Sequence, residues 1–184
     1  MSARRRALLS GIASCVLLLG IAGCAQGRDY TVSDKICGEE INADLLSPLM
    51  PTGTKVSVTG GTSDGNRQSC KLSVQREEDG TYETAVWVRW DIVPAGTDPI
   101  EVKRETLYGY GNPRKVAIGD DARLADQGVL AVESCPGRGR GSTLAVEIYL
   151  GIKTPEKLSD RHAALKRFTQ DYLDRVLREQ KCAA

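Results

Sequence analysis

The chain has 184 residues, 41% apolar and 27% charged, with 25 basic against 24 acidic side chains for a net charge of +1. That composition excludes intrinsic disorder, and the near-balance of charge gives no electrostatic footprint for a nucleic-acid partner. The length suits a single domain with a substantial core.

The first element is a leader. "MSARRR" is a basic n-region, Ala7 to about Leu19 is an apolar h-region, and the small residues Ala22 and Gly23 follow. The apolar run is shorter than the ~20 residues that cross the hydrocarbon, and Ser10, Gly11 and Ser14 weaken it further. Ile21, Ala22, Gly23 and Cys24 resemble the lipobox of bacterial lipoproteins, which a dedicated signal peptidase cuts just before the cysteine. The resemblance implies a signal peptide over 1–23 and a diacylglyceryl thioether on Cys24. The protein would then be held on the outer, extracytoplasmic face of the cell membrane, because two or more acyl chains anchor stably where one does not. Arg5-Arg6-Ala7-Leu8-Leu9 also resembles the core of a twin-arginine export signal, which would mean export in the folded state.

The leader and lipid change the cysteine arithmetic. Cys15 leaves with the leader and Cys24 is taken by lipid, so Cys37, Cys70, Cys135 and Cys182 remain, at spacings of 33, 65 and 47 residues. An even count in an oxidising compartment reads as two disulfides, and these spacings contain no zinc-type pair, so no metal or other cofactor is expected. Three connectivities are open. Cys37–Cys70 with Cys135–Cys182 is favoured because each link joins a predicted helix to a predicted strand end.

Residues 24–35 are polar and aperiodic and read as a tether, with one domain over 36–184. Ile36, Ile41, Leu45, Leu46 and Leu49 recur at helical spacing and predict a first helix, closed by Pro48 and Pro51. Strand-like runs follow at 54–60, 69–76 and 81–93, and Asp79-Gly80 favours a tight turn between the last two. After the loop "PAGTDP", the stretches "IEVKRETLYG", "ARLADQGVLAVESC" and "GSTLAVEIYLGIK" continue the strand pattern. Thr154-Pro155 then predicts the start of a C-terminal helix of about seven turns, with Leu158, Leu165, Phe168, Tyr172 and Val176 on one apolar face. The fold expected is α+β: an antiparallel sheet of about 5–7 strands, with a short N-terminal and a long C-terminal helix packed on one face. "ICGEEI", "CKLSV", "IGDDARLADQGVLAVESC" and "REQKC" resemble actinobacterial secreted lipoproteins of unknown function, some with a PsbP-like α+β fold. That resemblance implies the same architecture and brings no catalytic residues.

Few constellations carry chemistry. Gly61-Thr62-Ser63-Asp64-Gly65 spells G-x-S-x-G, but a strand rather than a helix is expected after it, so a turn-rich hairpin loop is the simpler reading. His162 is the single histidine and reads as a partly exposed residue on the helix flank, with no nucleophile identifiable. Asp120, Asp121 and Asp126 lack the spacing of a calcium loop and read as a solvated turn. Arg138 and Arg140 lie on the glycine-rich loop "PGRGRGS" and mark the first place to look for an anionic headgroup or polyanion.

Strand alternation in 81–93 puts Tyr82, Val86, Val88, Trp90 and Ile92 on a core face and Glu83, Ala85, Trp87, Arg89 and Asp91 on the other. In "TLAVEIYLGIK", Leu144, Val146, Ile148, Leu150 and Ile152 face the core, which leaves Tyr149 beside Glu147. If helices cover only the core side, Trp87, Arg89 and Tyr149 form an exposed aromatic–basic patch; otherwise Trp87 packs under a loop or beside an arginine stem. The expectation is a membrane-anchored, extracytoplasmic, non-catalytic binding or accessory module of the cell envelope, its partner an envelope protein, lipid or small molecule. The alternatives are a cell-envelope hydrolase, which requires Ser63 near His162, and a scaffold or inhibitor that covers a partner protein with a flat surface.

Overall fold

The computed structural model describes residues 27–61, 64–77 and 80–183. Its centre is a seven-stranded antiparallel sheet in the order β3-β4-β5-β9-β8-β7-β6, with strands β3 Lys55–Gly60, β4 Arg67–Gln75, β5 Tyr82–Val93, β6 Arg114–Lys115, β7 Asp121–Leu124, β8 Gly128–Ser134 and β9 Thr143–Leu150. A long helix, α4 Leu158–Glu179, and a short one, α1 Ala43–Leu46, complete the expected α+β plan. Among the described residues, no helix is long and apolar enough to cross a membrane.

One face of the sheet is sealed. Leu165, Phe168, Tyr172, Leu173 and Val176 of α4 pack with Leu46 and Leu49 against Val86, Val88, Trp90, Val146, Ile148 and Leu150, all of them buried. Burial of such side chains stabilises by roughly 1.5–3 kcal/mol each. Two disulfides staple this layer to the sheet, Cys37–Cys70 near its N-terminal end and Cys135–Cys182 beyond the end of α4. The buried Glu39 carboxylate ties the same three layers together, accepting from Trp90 Nε1 at 2.7 Å and from the Tyr172 hydroxyl.

The first predicted helix starts later than its spacing suggested. Cys37 and Gly38 have φ of 47° and 90°, the pattern of a type I′ turn, so β1 Lys35–Ile36 and β2 Glu39–Glu40 form a small hairpin instead. Helix α1 begins at Ala43, capped by the Asn42 side chain on the Asp44 N–H, and runs into a 3-10 turn at Ser47–Leu49. Ile36, Ile41, Leu46 and Leu49 are nonetheless buried. The segment before the hairpin is fastened too: Arg28 donates to Ser47 Oγ at 2.8 Å and to the Met50 carbonyl at 3.0 Å, the Asp29 N–H donates to Gly53, and the Tyr30 hydroxyl to Pro51.

Two further expectations are corrected. "IEVKRETLYG" is helical, as α2 Pro99–Val102 and α3 Arg104–Gly109, because Asp98 caps Ile100 and Glu101 while Pro99 takes a first-turn position. These helices lie on the opposite face of the sheet, where Leu107 packs on Leu130, Val132 and Ala145. Helix α4 starts at Leu158, not at Thr154-Pro155, and Leu158 is 42% exposed. The turn before α4 is organised by the buried Arg161, which donates to the carbonyls of Pro155, Glu156 and Asp126.

Candidate functional site

The second face of the sheet is covered unevenly. Helices α2 and α3 shield β8 and part of β9, and among the described residues no helix covers the β3-β4-β5 half of this face. The antiparallel register pairs Trp87 directly with Tyr149 and Arg89 with Glu147, so these four residues converge from β5 and β9 at the border between covered and open halves.

Both aromatic rings are held. Trp87 Nε1 donates to Ser69 Oγ on β4 at 2.6 Å, and the Arg89 guanidinium lies 5.4 Å from the centroid of the indole. The Tyr149 ring stacks on Tyr110 at 4.6 Å. Trp87 therefore packs beside an arginine stem and is half-buried, as are Arg89 and Tyr149.

The basic character expected of this patch is cancelled by a residue the alternation had assigned to solvent. Glu147 is buried, and its carboxylate takes Arg89, Lys103 Nζ at 3.4 Å and the Tyr110 hydroxyl at 2.6 Å. Arg89 Nε also meets Asp91 at 3.2 Å. Burial, then the hydrogen bond to Glu147, push the Tyr110 hydroxyl far above its ordinary range, so it stays neutral and donates. Arg89 and Lys103 thus balance Glu147 and Asp91. Sequence reasoning missed Glu147, Lys103 and Tyr110; the Asp98-Pro99 cap, which brings Lys103 and Tyr110 over β9, was the signal that could have found two of them.

Beside Trp87 and Tyr149 opens a groove of about 710 Å³, lined also by Thr59, Ser69, Lys71, Glu83 and Thr84. Two glycines on its wall, Gly60 and Gly151, are required by close approach: a Cβ on either would strike a strand carbonyl, that of Ser69 or of Thr84. A second depression of about 510 Å³ shares Ser69 and Trp87 with the first and extends to Arg67, Arg89 and Asp91. The register shift at Leu72/Ser73 skips Ala85 and reverses the alternation beyond it. Tyr82, expected in the core, is consequently opposite Gln75 and 48% exposed.

The other candidates fall elsewhere. Arg138 is a clamp, donating to Gly65 O at 2.5 Å, Asn66 Oδ1 at 3.0 Å and Gln180 Oε1 at 3.1 Å; Arg140 is exposed on the same loop, and neither lines the groove. His162 is buried, not partly exposed: Arg114 Nη2 meets its Nδ1 at 2.8 Å, and its Nε2 lies 3.7 Å from Asp126 Oδ1. Burial, then Arg114, hold its pKa below the ordinary histidine value. Asp120 accepts from Ser134, Asp121 from Arg123, and Asp126 from Asn112; among the described residues, no group of three His, Cys, Asp or Glu is placed to hold a metal ion. Cys24 and Ser63 lie outside the described residues.

No protein-family model, no curated protein and no solved structure matches the chain.

Proposed function

We propose that the protein is a membrane-anchored extracytoplasmic lipoprotein, tethered through Cys24, that acts as a non-catalytic binding module of the cell envelope with the groove beside Trp87 as its recognition surface. The observation that carries the reading is the pair of fixed rings, Trp87 and Tyr149, lining a concavity on the half of the sheet that no helix of the described residues covers. Ring surface already oriented in the free protein is the kind of contact area binding sites use, because little rotamer freedom is lost when a ligand arrives. Concavity favours a ligand that enters over a flat partner that covers. The anchor rests on Ile21-Ala22-Gly23-Cys24 behind the apolar leader.

Two substitutions test the two halves of this proposal. Cys24→Ala is expected to abolish palmitate incorporation and release the protein from membranes; retained labelling refutes the anchor. A photo-crosslinking side chain replacing the exposed Lys71, at the groove, should give adducts on intact cells that the same group at the exposed Lys166, on α4, does not. Identical adducts from both positions would remove the groove from the reading.

A further inference from the structure

We infer that the groove takes an uncharged saccharide chain, an inference that rests on the binding-module reading and names its ligand class. Four features of the lining point the same way. The indole N–H of Trp87 is already used on Ser69 and Arg89 lies over the ring, so what Trp87 adds to the groove is apolar ring surface away from Arg89 and not a donor. Tyr149, directly across the register, adds a second ring fixed by its stack on Tyr110. A pyranose has a matching flat patch of C–H bonds, which gains from lying on such a surface.

Around the rings the lining alternates in polarity. Thr59, Ser69 and Thr84 each carry a hydroxyl that can both donate and accept, and Lys71 can only donate. Equatorial and axial sugar hydroxyls need both kinds of partner around their edge. The charge of the site is small: Arg89 is committed to Glu147 and Asp91, which leaves Lys71 as the cation of the groove lining. An aliphatic lipid chain would lie against the hydroxyls of Thr59 and Thr84 and the ammonium of Lys71 without serving them. The trough is open and continues past Trp87 into the second depression, so it suits a chain of linked rings better than one enclosed molecule.

The experiment uses the full-length lipidated protein in detergent micelles, titrated by calorimetry and by tryptophan emission with two neutral tetrasaccharides, a β-1,4 N-acetylglucosamine tetramer and an α-1,4 glucose tetramer. The chain has two tryptophans, and Trp90 is buried in the core, so a ligand-dependent change of emission reports on Trp87 while Trp90 reports the fold. Binding of either sugar that shifts the emission is expected, weakened roughly tenfold or more in Trp87→Ala. A milder variant, Thr84→Val, removes one hydroxyl without volume and should weaken binding about threefold with the fold unchanged. Raising the salt to about 1 M should change affinity less than about twofold, since no ion pair forms. Silence toward both sugars at ~10 mM, or binding untouched by Trp87→Ala, overturns the inference. So does affinity confined to polyphosphate or to a peptide. Acylation measured by mass spectrometry on that preparation and the Lys71 crosslink on intact cells separate the two readings: if both persist while the sugars are silent, the ligand class alone is wrong, and if both fail, the module reading has failed with it.

Discussion

The two faces of the sheet are built on opposite terms. On one, α4 and the N-terminal hairpin bury a continuous apolar layer, stapled near both ends by disulfides and holding a carboxylate, Glu39, that meets only neutral donors. On the other, α2 and α3 bury a small cluster, and the neighbouring carboxylate, Glu147, meets two cations in a half-wet setting before the surface opens into the groove. The larger buried cluster lies on the first face, and the second carries the fixed rings and hydroxyls beside a smaller one.

That contrast can be broken by mutation, and the largest effect is expected in the sealed layer. Phe168→Ala should lower unfolding free energy in urea by about 3–5 kcal/mol, because Phe168 is fully buried and its removal leaves a cavity. Replacing Cys135 and Cys182 together by Ser should cost about 2–4 kcal/mol, read as a shifted urea midpoint relative to the oxidised parent. On the second face, Glu147→Gln takes the counter-charge from Lys103 and leaves Arg89 with Asp91 alone; about 1–2 kcal/mol is expected, since both cations keep access to water. A loss as large as that of Phe168→Ala would erase the contrast.

His162 sharpens it through pH. Its folded pKa lies below the unfolded value of ~6.5, so the unfolded chain binds more protons, and this contribution is complete above about pH 6.5 and lost as pH falls through the folded value. Glu133 and Glu179 oppose it, because burial raises both above the usual carboxylate range and acidification relieves them. Comparing urea midpoints at about pH 7.5 and 5.5 in the parent and in His162→Gln cancels the carboxylates and isolates the histidine. A smaller acid loss is expected in the variant. The smallest effect belongs to Lys71→Ala, which should stay within ~0.5 kcal/mol because the side chain is exposed.

Most of the sealed face was legible in the sequence. Period-2 alternation through Val86, Val88 and Trp90 and through Leu144 to Leu150 located the core side of the two central strands; cysteine parity gave two disulfides, and the favoured pairing formed although Cys37 sits in a hairpin turn and not in the helix expected there. The second face was harder for a physical reason. Ile100 and Val102 alternate like a strand, and only the Asp98 cap and Pro99 reveal a helix; without that helix, Glu147 reads as a solvent-facing residue and the patch as basic. The skipped Ala85 could not be seen either, since a bulge depends on the partner strand, and so Tyr82 was put on the wrong side. The rings of the site were found from alternation alone, but what neutralises Arg89 and what Arg138 clamps are long-range contacts that local pattern does not encode.

The fastening of Arg28 to Ser47, Met50 and Gly53 sets the length of the leash. With lipid on Cys24 as proposed, four peptide steps separate the anchor from Arg28, a covalent reach of at most about 14 Å. A domain of this size has a radius of gyration of about 15 Å. The tether is no longer than the body it holds, so the protein would pivot at the headgroups and never swing clear of them. Whatever the groove recognises must then lie within about one protein diameter of the lipid surface.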